Sequence, residues 1–235
     1  MPLARPAEAR PRPGSPPQRI EIPAAEAEAA AKICRSVIAK NTMVAENAEP
    51  ALWNNGCGAA GQIQISAIKL KNGKEVALRP SALIRCETAD AVATWVREDL
   101  APASESYGGL VRIEVAASYH CRPRNNVRGA LMSEHGRANA LDVRAIVMGD
   151  GRRFGVDLPE TPISLLSEMR RSACARFTTV LGPGSDGYHE NHFHVDLAQR
   201  YRDYRLCQWN LPRPPEPVRH PLRVADPSKV QPTSP

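Results

Sequence analysis

His189-Glu190-Asn191-His192-Phe193-His194-Val195-Asp196 holds three of the chain's six histidines within six residues. Phe193 and Val195 alternate with His192, His194 and Asp196, the period of a strand with one apolar and one polar face. Residues 192–198 are therefore expected to form a closing strand that buries its apolar side and turns two imidazoles and a carboxylate to the other. A second stretch complements it: Ser133-Glu134-His135-Gly136-Arg137-Ala138-Asn139-Ala140-Leu141-Asp142-Val143. His135 and Asp142 converge if the chain turns back between Gly136 and Asn139 and continues as a strand over 140–146. Two elements would then aim His135, Asp142 and His194 at one point.

Outward from these segments, Ile63, Ile65 and Ile68 alternate with polar residues and mark a strand over 62–70. Residues 111–119 and 178–181 read as further strands. Residues 24–40 are Ala-rich and helical. Residues 88–100 place Val92, Trp95 and Val96 at helical spacing behind Thr88, a suitable cap. Residues 162–177 put Ile163, Leu166 and Met169 on one face, with Pro162 suited to a first turn. Helices first, with strands gathered around the polar motifs, imply an α+β fold: a small, mostly antiparallel sheet with flanking helices.

Fifteen of the 22 prolines fall in residues 1–23 and 212–235, where proline's missing N–H opposes helix and sheet. These are expected to be disordered tails around one domain at 24–211. The formal charge is +6, of which each tail contributes +2. Such a balance suits wall polymers or other anionic surfaces, or simply solvated tails. No Lys/Arg cluster interleaved with aromatics supports a nucleic-acid groove. No run of 18 apolar residues could span a bilayer. A monomer is expected.

Cys34, Cys57, Cys86, Cys121, Cys174 and Cys207 are dispersed, and none forms a Cys-x-x-Cys pair. Two readings stand: three disulfides in an oxidising compartment, or six buried thiols. Nearest-neighbour pairing, Cys34–Cys57, Cys86–Cys121 and Cys174–Cys207, is the expectation among the possible connectivities. The opening MPLARPAEARPRPGSPP has no apolar h-region. A removed or missing leader would reconcile it with a periplasmic or cell-envelope location.

Imidazole and carboxylate are natural zinc ligands, and three protein ligands leave a fourth position open. Two imidazoles and one carboxylate suit Zn2+ best among divalent metals. The alternative for the three clustered histidines is a solvated, titrating surface.

Ser133-x-His135-x6-Asp142 followed by His192-x-His194 resembles the signature of the LAS metallopeptidases, which include D-Ala-D-Ala peptidases and penicillin-insensitive murein endopeptidases. His189-x-x-His192-Phe193-His194-Val195 is especially similar to the murein endopeptidase version. Residues from about 34 to 207 also resemble the extensin-like C-terminal domain, through Cys57-Gly58, Ser118-Tyr119-x-Cys121-Arg122, Ser133-x-His135 and His192-Phe193-His194-Val195-Asp196.

The resemblance implies a LAS-like fold with zinc held by His135, Asp142 and His194. His192 would stand at the open position as base or oxyanion stabiliser, assisted by His189. Asp196 would orient a ligand histidine, or begin a turn, and Ser133 would fix its loop. LAS enzymes commonly carry Gly where this chain has Ala138, an exchange between small residues. Their Glu-x-Trp-His base is absent here, leaving Glu190 a weaker candidate than His192. Ser118-Tyr119-His120-Cys121-Arg122-Pro123-Arg124-Asn125 resembles an altered Ser-Gly-Tyr-Arg-Ser stretch. In it Arg122 first and Arg124 second could grip a substrate carboxylate, or either could serve a structural ion pair.

The implied activity is a zinc peptidase cutting 4,3 or 3,3 cross-links of peptidoglycan. The rival is a non-catalytic wall-binding protein with a structural or vestigial site. A metal-dependent amidase acting on D-amino-acid dipeptides is a third reading.

Overall fold

Apolar alternation in the centre of the chain builds a sheet, and the helices before and between its strands cover one face. A computed structural model of the protein describes residues 16–211. The chain runs β1 (Arg19–Ile20), α1 (Ala24–Ala39), β2 (Met43–Asn47), β3 (Ala51–Trp53), β4 (Gly58–Ala59), β5 (Gln62–Lys69), β6 (Glu75–Arg85) and α2 (Cys86–Trp95). After α2 a π-helical turn, Val96–Leu100, leads into α3 (Ala101–Ser104). Then follow β7 (Leu110–Ala117), β8 (Ala140–Met148), β9 (Arg153–Gly155), α4 (Ile163–Arg176), β10 (Thr179–Leu181), β11 (Phe193–Asp196) and β12 (Leu206–Gln208).

Nine strands form the main sheet, ordered β12-β10-β11-β8-β7-β6-β5-β2, with β9 paired to β8 beyond the end of β11. The β6–β7 and β10–β12 pairs are parallel and the rest antiparallel. The α+β class is as expected, and the sheet is extended by β2 and β6, which the sequence reading passed over. Both lie in segments where charged residues, and in β6 also Pro80, interrupt the apolar pattern.

β8 is the strand that matters most. Leu141, Val143 and Ile146 enter the core, whereas Asp142 lies between Leu141 and Val143 and so points to the opposite face. On β11, Phe193 and Val195 likewise enter the core and His194 opposes Asp142 in register. The core side is built around Trp95, which meets Phe177 and Phe193 edge-on, each at 5.9 Å between centroids. Phe193 also stacks on Trp209 at 4.8 Å. The strand that carries His194 is thus held from behind by aromatic packing.

All six cysteines are in disulfides, but the expected pairing is right for only one. Cys174–Cys207 ties α4 to β12, whereas the other two are Cys34–Cys86 and Cys57–Cys121. The long β5–β6 hairpin carries the chain out and back, so Cys86, at the start of α2, meets Cys34 on α1. Cys57 stays beside β4 and is left for Cys121 in the loop after β7. Gly58, next to it, has φ +88°, and a Cβ there would lie 1.8 Å from the Ala51 carbonyl oxygen. Only glycine fits that turn.

Three further expectations change. Thr88 caps nothing: its hydroxyl is buried and donates to Asn139 Oδ1 at 2.8 Å. Pro162 sits just before α4 as its N-cap residue. Arg19 and Ile20, within the expected N-terminal tail, pair with Trp53 and Leu52, so strand pairing is already present upstream of residue 24. Residues 1–15 and 212–235, including His220, lie outside the described residues. Among the described residues no helix is long and apolar enough to cross a membrane.

Candidate metal centre

Three ligand-type side chains meet on the sheet face opposite the core. Asp142 and His194 are brought together by the β8–β11 register. His135 arrives from the turn before β8, a single 3-10 turn, His135–Arg137, that ends on Ala138 with φ +53°. The expected turn between Gly136 and Asn139 is therefore present. It is fixed by the buried network Thr88–Asn139–Glu134, in which Asn139 Nδ2 donates to Glu134 Oε2 at 2.6 Å. Ser133 does what its position suggested: its hydroxyl accepts the His135 N–H at 3.3 Å.

The convergence is tight. His135 Nε2 lies 3.1 Å from His194 Nδ1 and 3.1 Å from Asp142 Oδ1, and His194 Nδ1 lies 2.9 Å from Asp142 Oδ1. All three residues are buried, and they form a group able to hold a metal ion. A tetrahedral zinc with arms of about 2.1 Å separates its ligand atoms by about 3.4 Å, close to this triangle.

The outer hydrogen bonds settle which nitrogens carry protons. His135 Nδ1 is 2.6 Å from the Ser118 carbonyl oxygen, which can only accept, so Nδ1 is the donor. His194 Nε2 donates to Asp196 Oδ2 at 2.9 Å. Asp196 thus holds the His194 ring by its outer nitrogen. With both outer nitrogens committed as donors, neutral imidazoles present two lone pairs to each other and to the Asp142 carboxylate. A donor set of that kind fits a cation, because without one a proton must fill the gap.

The electrostatics express the same need. Burial opposes the charged form of His194, but hydrogen bonds to Asp142 and Asp196 outweigh it and push its pKa up to about 9. Burial likewise opposes ionised Asp142, yet the hydrogen bonds from His135 and His194 hold it well below the usual carboxylate range. Burial also opposes ionised Asp196, but the hydrogen bond and charge of His194, with the bonds from Thr179 and Ala198, together lower its pKa.

Around the triangle stand the other expected residues. His192 precedes β11 rather than lying in it, but its Nε2 still comes within 3.5 Å of Asp142 Oδ2. Its Nδ1 donates to Asn191 Oδ1 at 2.9 Å, leaving Nε2 as the acceptor. Burial lowers the His192 pKa, so the ring is neutral at neutral pH. The His189 ring lies 5.1 Å from that of His192 and 5.6 Å from that of His194. Glu190 is turned away, accepting the Gly184 N–H at 3.0 Å, which removes it as an acid–base candidate.

Arg122 and Arg124 line a cavity of about 280 Å³ together with His135, His189 and His194. Arg122 makes one weak side-chain hydrogen bond, to the Pro123 carbonyl at 3.5 Å, rather than a structural ion pair. Asp186, in the same cavity wall, was not singled out by sequence. It accepts from His189 Nδ1 at 2.7 Å and so fixes that ring. The i, i+3 spacing of Asp186 and His189 was the available signal. The Ser118 carbonyl, being backbone, left none.

No curated protein and no solved structure matches this chain. The model of one family, described as extensin-like protein C-terminus, matches residues 32–208. That span takes in all six cysteines, the His135–Asp142–His194 triangle and both arginines of the cavity. The chain belongs to the extensin-like protein C-terminus family.

Proposed function

We propose that this protein is a zinc-dependent peptidase acting on cross-links between the stem peptides of peptidoglycan. The observation that carries the reading is the triangle itself. Three buried ligand atoms converge with their lone pairs inward, beside a cavity and beneath a fourth histidine that is not part of the triangle. A structural zinc site is normally closed by four protein ligands, whereas a catalytic one keeps a position open. Zinc bound there would polarise a carbonyl oxygen and make water acidic near neutral pH.

The chain's own groups then divide the work. His192 Nε2, an acceptor on a neutral ring, takes the proton of the attacking water and returns it to the leaving amine. His189, oriented by Asp186, supports the charge that develops beside it. Arg122 and Arg124 offer guanidinium groups to a substrate carboxylate, which peptide stems carry. Three disulfides are compatible with an extracellular or periplasmic location, where such a substrate is found.

The test is digestion of purified cross-linked muropeptide dimers, separately with 4,3 and 3,3 links, by zinc-loaded protein. Wild type should release monomers; His194→Ala should lose zinc and activity together. His192→Ala should keep zinc and lose cleavage by about 10²-fold or more. Intact dimers after incubation with wild type would sink the enzyme reading. Full-rate cleavage by His192→Ala would remove His192 from its role.

A further inference from the structure

Behind His194 the hydrogen bonds do not end at Asp196. Thr179, opposite Asp196 in the β10–β11 register, donates its hydroxyl to Asp196 Oδ1, and the Ala198 N–H reaches the same oxygen at 2.9 Å. Arg200 in turn donates through Nη2 to Thr179 Oγ1 at 2.5 Å and through Nη1 to the Thr178 carbonyl at 3.2 Å. Thr179 and Asp196 are buried, at 2% and 3% exposure, and Arg200 is half-buried.

The polarity of this chain is forced. A guanidinium has donors and no acceptor, so Thr179 Oγ1 must accept from Arg200 and direct its own hydrogen elsewhere. The acceptor in reach is Asp196 Oδ1. With Oδ1 occupied twice, Oδ2 is left for His194 Nε2–H at 2.9 Å. A neutral imidazole carries one ring hydrogen, so Nδ1 is bare where it faces His135 Nε2 and Asp142 Oδ1.

We infer that Thr179 and Arg200 are positioning residues of the metal centre, locking the Asp196 carboxylate and thereby the tautomer and tilt of His194. The inference rests on the metal-binding reading but not on any catalytic activity. Both residues line the cavity beside the triangle, but their side-chain hydrogen bonds go to Asp196, Thr178 and Thr179 and not to His135, Asp142 or His194. Their effect passes through Asp196.

The test measures zinc affinity of the full chain by competition with a chromophoric chelator, and the visible spectrum of the cobalt(II) form. Thr179→Val should weaken zinc binding about tenfold or more, the scale of outer-partner losses at metal sites, and alter the cobalt bands. Thr179→Ser, which keeps the hydroxyl, should restore both. Arg200→Met should weaken binding by roughly threefold, less than loss of the hydroxyl itself. Arg200 is partly exposed, so its replacement leaves the fold intact even if Thr179→Val fails to fold in chelator. Wild-type affinity in both Arg200→Met and a folded Thr179→Val overturns the inference while leaving the metal centre standing. Thr179→Ser as weak as Thr179→Val also overturns it, since the hydroxyl would not be the cause. If the wild type takes up no zinc, the metal reading itself falls, and the positioning role with it.

Discussion

In the absence of a cation the centre must hold a proton, and that proton can be counted. His194 has its pKa raised from 6.5 to about 9 by Asp142 and Asp196 against the opposing effect of burial. At pH 7.5 the metal-free protein therefore carries the imidazolium, and a metal ion must displace it. Zinc binding is expected to release about one proton per ion near pH 7.5, with release fading above pH 9. Calorimetric titration in two buffers of different ionisation enthalpy reads this number directly. The same shift sets stability. A folded pKa above the unfolded one stabilises the fold fully below pH 6.5, and this is lost as pH rises through about 9. A rise from 6.5 to about 9 corresponds to about 3 kcal/mol. Asp142 acts oppositely: its depressed pKa contributes stability above its unfolded value of 3.8, lost as pH falls further. Urea unfolding in chelator should thus weaken between pH 6.5 and 9.5, while the zinc-loaded protein should not. A flat stability profile in chelator over that range, or zinc uptake without proton release at pH 7.5, would refute the reasoning.

Two further outcomes follow from the scaffold. Non-reducing peptide mapping should recover Cys34–Cys86 and Cys57–Cys121 peptides. Replacing Cys57 and Cys121 together by Ser should cost up to about 4 kcal/mol, on the loop-entropy estimate for a separation of 64 residues. Phe193→Ala, which empties the space between Trp95 and Trp209 behind His194, should cost about 3–5 kcal/mol in chemical unfolding and weaken zinc binding as β11 loosens.

Much of the fold could be read wherever periodicity was clean. The Ile63–Ile65–Ile68 pattern, the Ala-rich helix and the alternation around His194 all reappear as β5, α1 and β11. The helix at 88–100 was found but runs longer, because the π-helical turn at Val96–Leu100 carries it past a pattern of period 3.6 and into Ala101–Ser104. β6 was hidden by its charges and its proline, and with it went the disulfide pairing. The β5–β6 hairpin returns the chain to Cys34 at Cys86 and leaves Cys57 for Cys121. Connectivity depended on β6, which the pattern concealed.

The site was legible for a different reason: its chemistry is compressed into two short segments whose residue types leave few uses. What could not be read was backbone. At Ala138 residue size is not the constraint. Its φ is +53°, in the left-handed region, where an L-residue with a Cβ costs about 1–2 kcal/mol. That turn is what reverses the chain between His135 and Asp142 and so creates the ligand triangle. Around it, the Ala138 carbonyl accepts the Arg85 N–H at 2.6 Å, and its own N–H donates to His135 O at 3.1 Å. The next residue is locked by Thr88 and Glu134. These bonds, made by α2 and the end of β6, can offset the strain locally. A left-handed alanine can therefore stand at the hinge of the His135–Asp142–His194 triangle because the helix behind it is built to hold it there.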